Sequence, residues 1–244
     1  MKIELQGVGK RYGRTQALQG VSCVLAPGQI VGVVGANGAG KTTLLRCLAG
    51  VVGADRGEIL YDGERFNRGR LDLRRRLHFL PDFPFLFWDQ NPMQHVALAM
   101  KVYGVSWSGR EHLVTELLRD FDLLPLARRK LGTLSRGQIY KTGLVMLMAL
   151  DPELWLLDEP FASGMDPHGI DAFRQRARQA VARGRTVVFT TQLLDLAERF
   201  ADRVGILHRG ELHACDTVTA LSSRTDGEGG ALERIFRQLR AGGS

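Results

Sequence analysis

Residues Gly35 to Thr43 read Gly-Ala-Asn-Gly-Ala-Gly-Lys-Thr-Thr, a G-x-x-x-x-G-K-[ST] run that leaves the surrounding chain few choices. Directly before it stands an apolar run, Ile30 to Val34, and directly after it a helix-like stretch, Leu44 to Leu48. A strand, a glycine-rich turn and an opening helix together make an anion cradle. The glycines let the backbone curl so that successive N–H groups converge, and the helix N-terminus adds partial positive charge. Lys41 can reach the β- and γ-phosphates of a nucleotide, and the Thr42 hydroxyl can ligate Mg²⁺. Gly35, Asn37, Gly38, Ala39, Gly40, Lys41, Thr42 and Thr43 are therefore expected to bind a nucleotide.

The rest of the chain alternates two periodicities. Apolar residues (Ile3, Leu5, Val8) alternate with polar ones in a first segment that turns at Gly13, and a second run, 17–25, leads to the turn Pro27-Gly28. A short strand at 58–61 closes on Asp62-Gly63. Residues 91–131 read as helical, with one apolar stripe through Met93, Val96, Ala97 and Met100 and another through Leu113, Leu117, Leu118 and Phe121. A third helical stretch runs from 134 to 150. Then come a buried strand at 154–157, a helix at 171–183 ended by Gly184, and a strand at 186–190. Strands alternating with helices predict an α/β fold, a mostly parallel sheet covered on both faces. The helical insert at about 85–150 is expected to form a separate lobe. A hairpin is expected around Arg209-Gly210, with His208 and His213 as surface residues. The polar, glycine-rich stretch 222–230 reads as a linker before a short helix at 232–239.

Composition narrows the setting. No run of 18 apolar residues occurs in the 244, so no transmembrane helix is expected. Met1-Lys2-Ile3-Glu4 carries no signal-peptide core. Cys23, Cys47 and Cys215 lack metal-ligand spacing and suit a reducing compartment. The formal charge of +7 fits a polyanion partner or a solvated basic surface. The densest cluster, Arg68 to Arg76, is expected to be a solvated helix face.

The apolar run Trp155-Leu156-Leu157 ends in Asp158-Glu159. That places two carboxylates at the C-terminal edge of the sheet, where open α/β sheets hold ligands. Asp158 suits Mg²⁺, directly or through water. Glu159 is placed to polarise a water aimed at a γ-phosphate.

With these residues the chain resembles the nucleotide-binding subunits of ATP-binding cassette (ABC) transporters. Leu134-Ser135-Arg136-Gly137-Gln138 is similar to the family signature Leu-Ser-Gly-Gly-Gln, and Glu159 to Pro167 is similar to the segment that leads into the family's D-loop. The resemblance spans essentially the whole chain. It implies a P-loop NTPase core with an N-terminal antiparallel β subdomain and an inserted α-helical subdomain, the domain occupying 1–221 and an extension 222–244. It implies ATP and Mg²⁺ as ligands, with Tyr12 stacking on adenine. It implies two such subunits meeting head to tail, so that Ser135, Gly137, Gln138 and Asp166 of one complete the nucleotide site of the other.

Three positions depart from the family's pattern. Arg136 stands where a glycine is usual, Asp82 where a Gln follows the strand 77–80, and Gln192 where a switch His is usual. Asp82 can still ligate Mg²⁺ but adds negative charge beside the phosphates. Gln192 can donate a hydrogen bond but cannot shuttle a proton. A slow ATPase sustained by Glu159, one degenerate or regulatory partner of a heterodimer, and a domain that binds ATP without turnover all fit these changes. Phe83-Pro84-Phe85-Leu86-Phe87-Trp88 lies in the region that, in the resembled family, borders the groove for a membrane partner's helix; core and docking both suit its aromatics. The implied protein is a transport ATPase subunit with a separate permease, of the small exporter type, peripheral on the cytoplasmic face of the membrane and without nucleic acid. A soluble, non-transport ABC protein is the alternative.

Overall fold

The computed structural model describes residues 1–223 and 230–241. In chain order its elements are β1 (Ile3–Tyr12), β2 (Thr15–Leu25), β3 (Ile30–Val34), α1 (Lys41–Leu48), β4 (Arg56–Tyr61), β5 (Glu64–Arg65), α2 (Leu71–Arg74), β6 (Leu77–Leu80), α3 (Pro92–Tyr103) and α4 (Glu111–Asp120). Then follow α5 (Arg136–Leu150), β7 (Leu154–Leu157), α6 (Pro167–Ala182), β8 (Thr186–Thr191), α7 (Leu194–Phe200), β9 (Arg203–His208), β10 (Glu211–Thr217), α8 (Val218–Ser222) and α9 (Ala231–Ala241).

Two sheets form. One is antiparallel with order β2-β1-β4-β5, and the other has order β10-β9-β3-β8-β7-β6. In the larger sheet every pairing is parallel except the β9–β10 hairpin. Successive side chains of a strand point to opposite faces, and the two cores follow that alternation. Ile30 and Val34, Trp155 and Leu157, and Val187 and Phe189 pack with the helices on one face. Val31 and Val33, Leu154 and Leu156, and Val188 pack on the other, against α1 and the N-terminal sheet. The central strands are buried on both faces, which is why they read as unbroken apolar runs.

Between β6 and β7 the chain forms α3, α4 and α5, whose buried side chains join the core on one face of the larger sheet. Helix α5 is buried from Gly137 to Leu150 apart from Gln138, as a helix apolar on all sides must be. Its start is set by a reciprocal capping box. Gln138 N–H donates to Ser135 Oγ at 3.3 Å, and Ser135 N–H donates to Gln138 Oε1 at 3.0 Å.

Four local readings shift. Helix α6 begins at Pro167 instead of 171, because Asp166 Oδ1 accepts from Gly169 N–H at 2.7 Å and proline suits the first turn. The Arg68–Arg76 cluster carries only the one-turn helix α2. Its arginines are also not simply solvated: Arg70 pairs with Glu64 and Asp72, and Arg76 with Asp62 and Glu153. Helices α7 and α8 had no clear periodicity, and burial of Ala197, Phe200 and Leu221 holds them. The C-terminal helix is anchored, with Leu232 buried and its N–H donating to Glu198 Oε1 at 2.7 Å; most of the 222–230 linker lies outside the described residues. The hairpin at Arg209-Gly210 forms with both residues at positive φ, 49° and 84°.

Candidate functional site

The loop closes where β3 meets α1. Gly40 precedes the helix at φ 106°, and a Cβ there would fall 2.4 Å from Ala17 O, so no other residue fits. No side chain caps α1, and its first N–H groups are left to an anion. Lys41 is almost wholly buried. Its Nζ donates to Gly35 O at 2.9 Å and Ala36 O at 3.3 Å, and lies 3.2 Å from Glu159 Oε1.

The acids are held from the next strand over. Asp158 Oδ1 accepts from Thr42 Oγ1 at 3.1 Å and from Thr190 Oγ1 at 2.6 Å. Thr190 Oγ1 in turn accepts from Glu159 N–H at 3.0 Å. One hydroxyl on β8 therefore binds the Asp158 carboxylate and the Glu159 backbone together. Glu159 itself sits at φ 46°, in the left-handed region that side chains other than Gly seldom enter. Such strain concentrates at functional sites.

These groups face a cavity of about 530 Å³, within the range of small-molecule sites. The loop residues Asn37, Gly38, Ala39, Gly40, Lys41, Thr42 and Thr43 line it, with Asp158 and Glu159 across from them and Asp82 and Gln192 also present. Arg46, Arg136 and the segment 15–17 complete the wall. The Thr42 hydroxyl and Asp158 carboxylate form a donor pair that suits a small, hard cation keeping several of its waters, so the residues fit Mg²⁺.

The remaining expected site residues lie elsewhere. Gly35 is packed beneath the loop, where a Cβ would meet Leu207 O at 2.5 Å. Tyr12 stands outside the cavity lining, half exposed, with Lys10 Nζ 5.5 Å from its ring centre. Ser135, Gly137, Gln138 and Asp166 form a second cluster that does not line the cavity. A Cβ on Gly137 would lie 2.3 Å from Gly164 O, so the signature turn and the loop after Glu159 touch through their backbones. Lys141 Nζ bonds Asp166 Oδ2 at 2.7 Å. That ammonium, then the Gly169 N–H, holds the Asp166 carboxyl below the usual carboxylate range. Arg136 is the first residue of α5 and is absent from the positive-φ positions, so replacing glycine there strains nothing.

Two contributors escaped the sequence reading. Thr190 was legible only as one of three threonines flanking Val187-Val188-Phe189 on β8, and Arg46 only as an outward position of the loop helix. The aromatic segment splits between core and surface. Leu86 is buried, whereas Phe85 is 92% exposed and Phe83, Phe87 and Trp88 are exposed in part. Exposed apolar rings in such density are unusual on an isolated surface.

The family model described as ABC transporter matches residues 18–162. The chain is 32% identical over 228 residues to the ABC-type transporter ATP-binding protein EcsA of Bacillus subtilis, covering 93% of this chain and 92% of that one. It is 33% identical to the daunorubicin resistance ATP-binding protein DrrA3 of Streptomyces coeruleorubidus, covering 93% of this chain and 71% of the relative. A solved ATP-binding subunit of an ABC transporter superposes with a TM-score of 0.91 at 30% identity, covering 98% of this chain and all of that one. The cavity between loop, acids and Gln192 thus lies in an ABC ATP-binding domain, and the chain belongs to the ABC transporter family.

Proposed function

We propose that this chain is the ATP-hydrolysing subunit of a transporter, that two copies or two related subunits close on ATP, and that closure drives a separate permease. The observation that carries this reading is the division of the site residues into two clusters. Lys41, Thr42, Asp158 and Glu159 share one cavity, while Ser135, Gly137, Gln138 and Asp166 stand outside it. Residues of the second kind serve a nucleotide only if another subunit supplies the first.

In this reading the loop N–H groups, with Lys41, grip the phosphates, and Thr42 and Asp158 hold Mg²⁺. Bound there, Mg²⁺ would supply neutralisation of phosphate charge. Glu159 takes the proton of the attacking water, and its strained backbone keeps the carboxylate aimed. Gln192 donates a hydrogen bond toward the γ-phosphate without shuttling a proton. The missing imidazole makes turnover slow, on the order of 10²-fold below a site that keeps it. The nucleotide-binding unit is taken as 1–221, with 222–244 as its extension.

Phe85, Phe87 and Trp88 form the permease contact. A helix from a membrane protein would bury rings that water otherwise surrounds. No helix among the described residues is long and apolar enough to cross a membrane itself; in this reading the chain acts at the cytoplasmic face beside its permease. Capture from solubilised membranes tests the assignment. The wild-type chain should retain an integral membrane protein, and Phe85→Ser with Trp88→Ser should lose it while keeping nucleotide affinity. Retention of ribosomes or DNA in its place overturns the transport reading. The second test is turnover: wild-type and Glu159→Gln chains that hydrolyse ATP equally poorly would overturn the hydrolase reading and leave a non-hydrolysing partner of a heterodimer, with which Asp82 and Gln192 are also compatible.

A further inference from the structure

Two of the three departures from the family pattern meet in space. Asp82 follows β6 at the edge of the sheet, and Arg136 opens α5. Arg136 Nη2 lies 3.7 Å from Asp82 Oδ2, and both side chains line the cavity that holds Thr42, Asp158 and Glu159. The acids there are otherwise engaged. Asp158 receives two hydroxyl hydrogen bonds, and Glu159 pairs with Lys41. Arg136 is the cation brought to Asp82.

The same face of α5 continues toward the acids. One turn on, Tyr140 is fully buried and its hydroxyl has no hydrogen-bond partner in the protein. Burial, then the charges of Asp158, Asp82 and Glu159, push its hydroxyl well above the usual range. The first two turns of α5 therefore address one acidic corner of the same chain's own cavity.

The pair is more than half exposed on both sides, and such pairs add little to stability. Its consequence is local potential. A carboxylate where the family carries a neutral amide repels a polyanionic ligand, and an adjacent guanidinium cancels that repulsion. We propose that Arg136 is a positioning residue for nucleotide binding, holding Asp82 and neutralising it so that the cavity accepts the γ-phosphate end of ATP. The second departure then compensates the first: Asp82 without a neighbouring cation harms binding, and Arg136 makes it tolerated. This rests on the nucleotide-site reading above.

Equilibrium binding of ATP and ADP to the intact chain at low ionic strength tests the pairing. Arg136→Ala should weaken ATP about tenfold and ADP by no more than about threefold, the deficit shrinking as salt rises. Arg136→Lys should recover most of the loss. Adding Asp82→Asn to Arg136→Ala should restore ATP affinity to within about twofold of wild type, and Asp82→Gln with Arg136→Gly should bind as wild type does. Melting temperatures recorded alongside identify a folding defect. Three results overturn the proposal: Arg136→Ala within twofold of wild type, equal loss of ATP and ADP, or a loss undiminished by Asp82→Asn. A wild-type chain that binds neither nucleotide sinks the underlying functional reading, which is a distinguishable failure.

Discussion

Lys41 and Glu159 are bound to each other, with Nζ and Oε1 3.2 Å apart and both side chains largely withdrawn from water. One is the phosphate-gripping cation and the other the proposed base. A triphosphate entering the loop must draw the lysine away from the carboxylate, so binding and activation of the base are linked. Removing the glutamate charge frees the lysine. Glu159→Gln is therefore expected to bind ATP several-fold more tightly than wild type while turning it over at least about 10²-fold more slowly. Nucleotide titration and phosphate release measure the two effects separately, and weaker binding by the variant would contradict the link.

Thr190 gives Asp158 a hydrogen bond at 2.6 Å and accepts one from Glu159 N–H. Thr190→Val deletes both while keeping the shape, leaving a buried carboxylate short of a donor. A loss of about 1–3 kcal/mol in unfolding free energy is expected, together with a higher Mg²⁺ requirement for turnover. Thr190→Ser should preserve both. A valine variant with wild-type Mg²⁺ dependence would show that the hydroxyl orders nothing.

Lys141 is buried and its ammonium meets Asp166 at 2.7 Å, with Asp122 at 4.0 Å. Asp166→Ala strands that ammonium and removes the α6 cap. Because Asp166 is itself half exposed, water offsets part of the penalty, and about 1–3 kcal/mol of destabilisation is expected. Lys141→Met should be milder, since it leaves no buried charge unpaired. Urea denaturation compares the two, and the reverse order would refute the account.

His78 packs against Tyr103 with the rings tilted at 55°, its Nδ1 2.8 Å from the tyrosine hydroxyl. Burial pushes its pKa down to about 4 from 6.5. The unfolded chain therefore binds a proton between those values that the folded chain does not, and stability falls as pH drops from about 6.5 toward 4. Above 6.5 both states are neutral and the group contributes nothing. The full penalty at the acid end is at most about 3 kcal/mol. His95, also depressed by burial, adds in the same direction. His78→Gln should flatten the slope of urea midpoint against pH across this window; an unchanged slope would place the acid sensitivity elsewhere.

Legibility followed the range of the interaction. The loop at Gly35 and the acids after β7 were readable because each depends on neighbours a few residues away. Helix α7 was not, since its two buried residues, Ala197 and Phe200, become apolar anchors only against other elements. Tyr12 was assigned to adenine by the family resemblance, and in the structure it stands at the end of β1, outside the residues that line the loop cavity. Phe85 and Leu86 are both large and apolar, and nothing local says that one is buried and the other almost bare.

The sequence by itself determined that this chain folds around a phosphate loop, that a parallel sheet brings an acidic pair to its edge, and which family it resembles. Glycine geometry and strand periodicity are short-range physics, and they are written residue by residue. Only the tertiary structure decided that Thr190 binds the Asp158 carboxylate and the Glu159 backbone together, that Glu159 holds Lys41, and that Asp82 and Arg136, 54 residues apart, form a pair. Those relationships come from neighbouring strands and from a helix crossing between layers. Their distances are set by how two cores pack on opposite faces of one sheet, which no stretch of chain specifies alone.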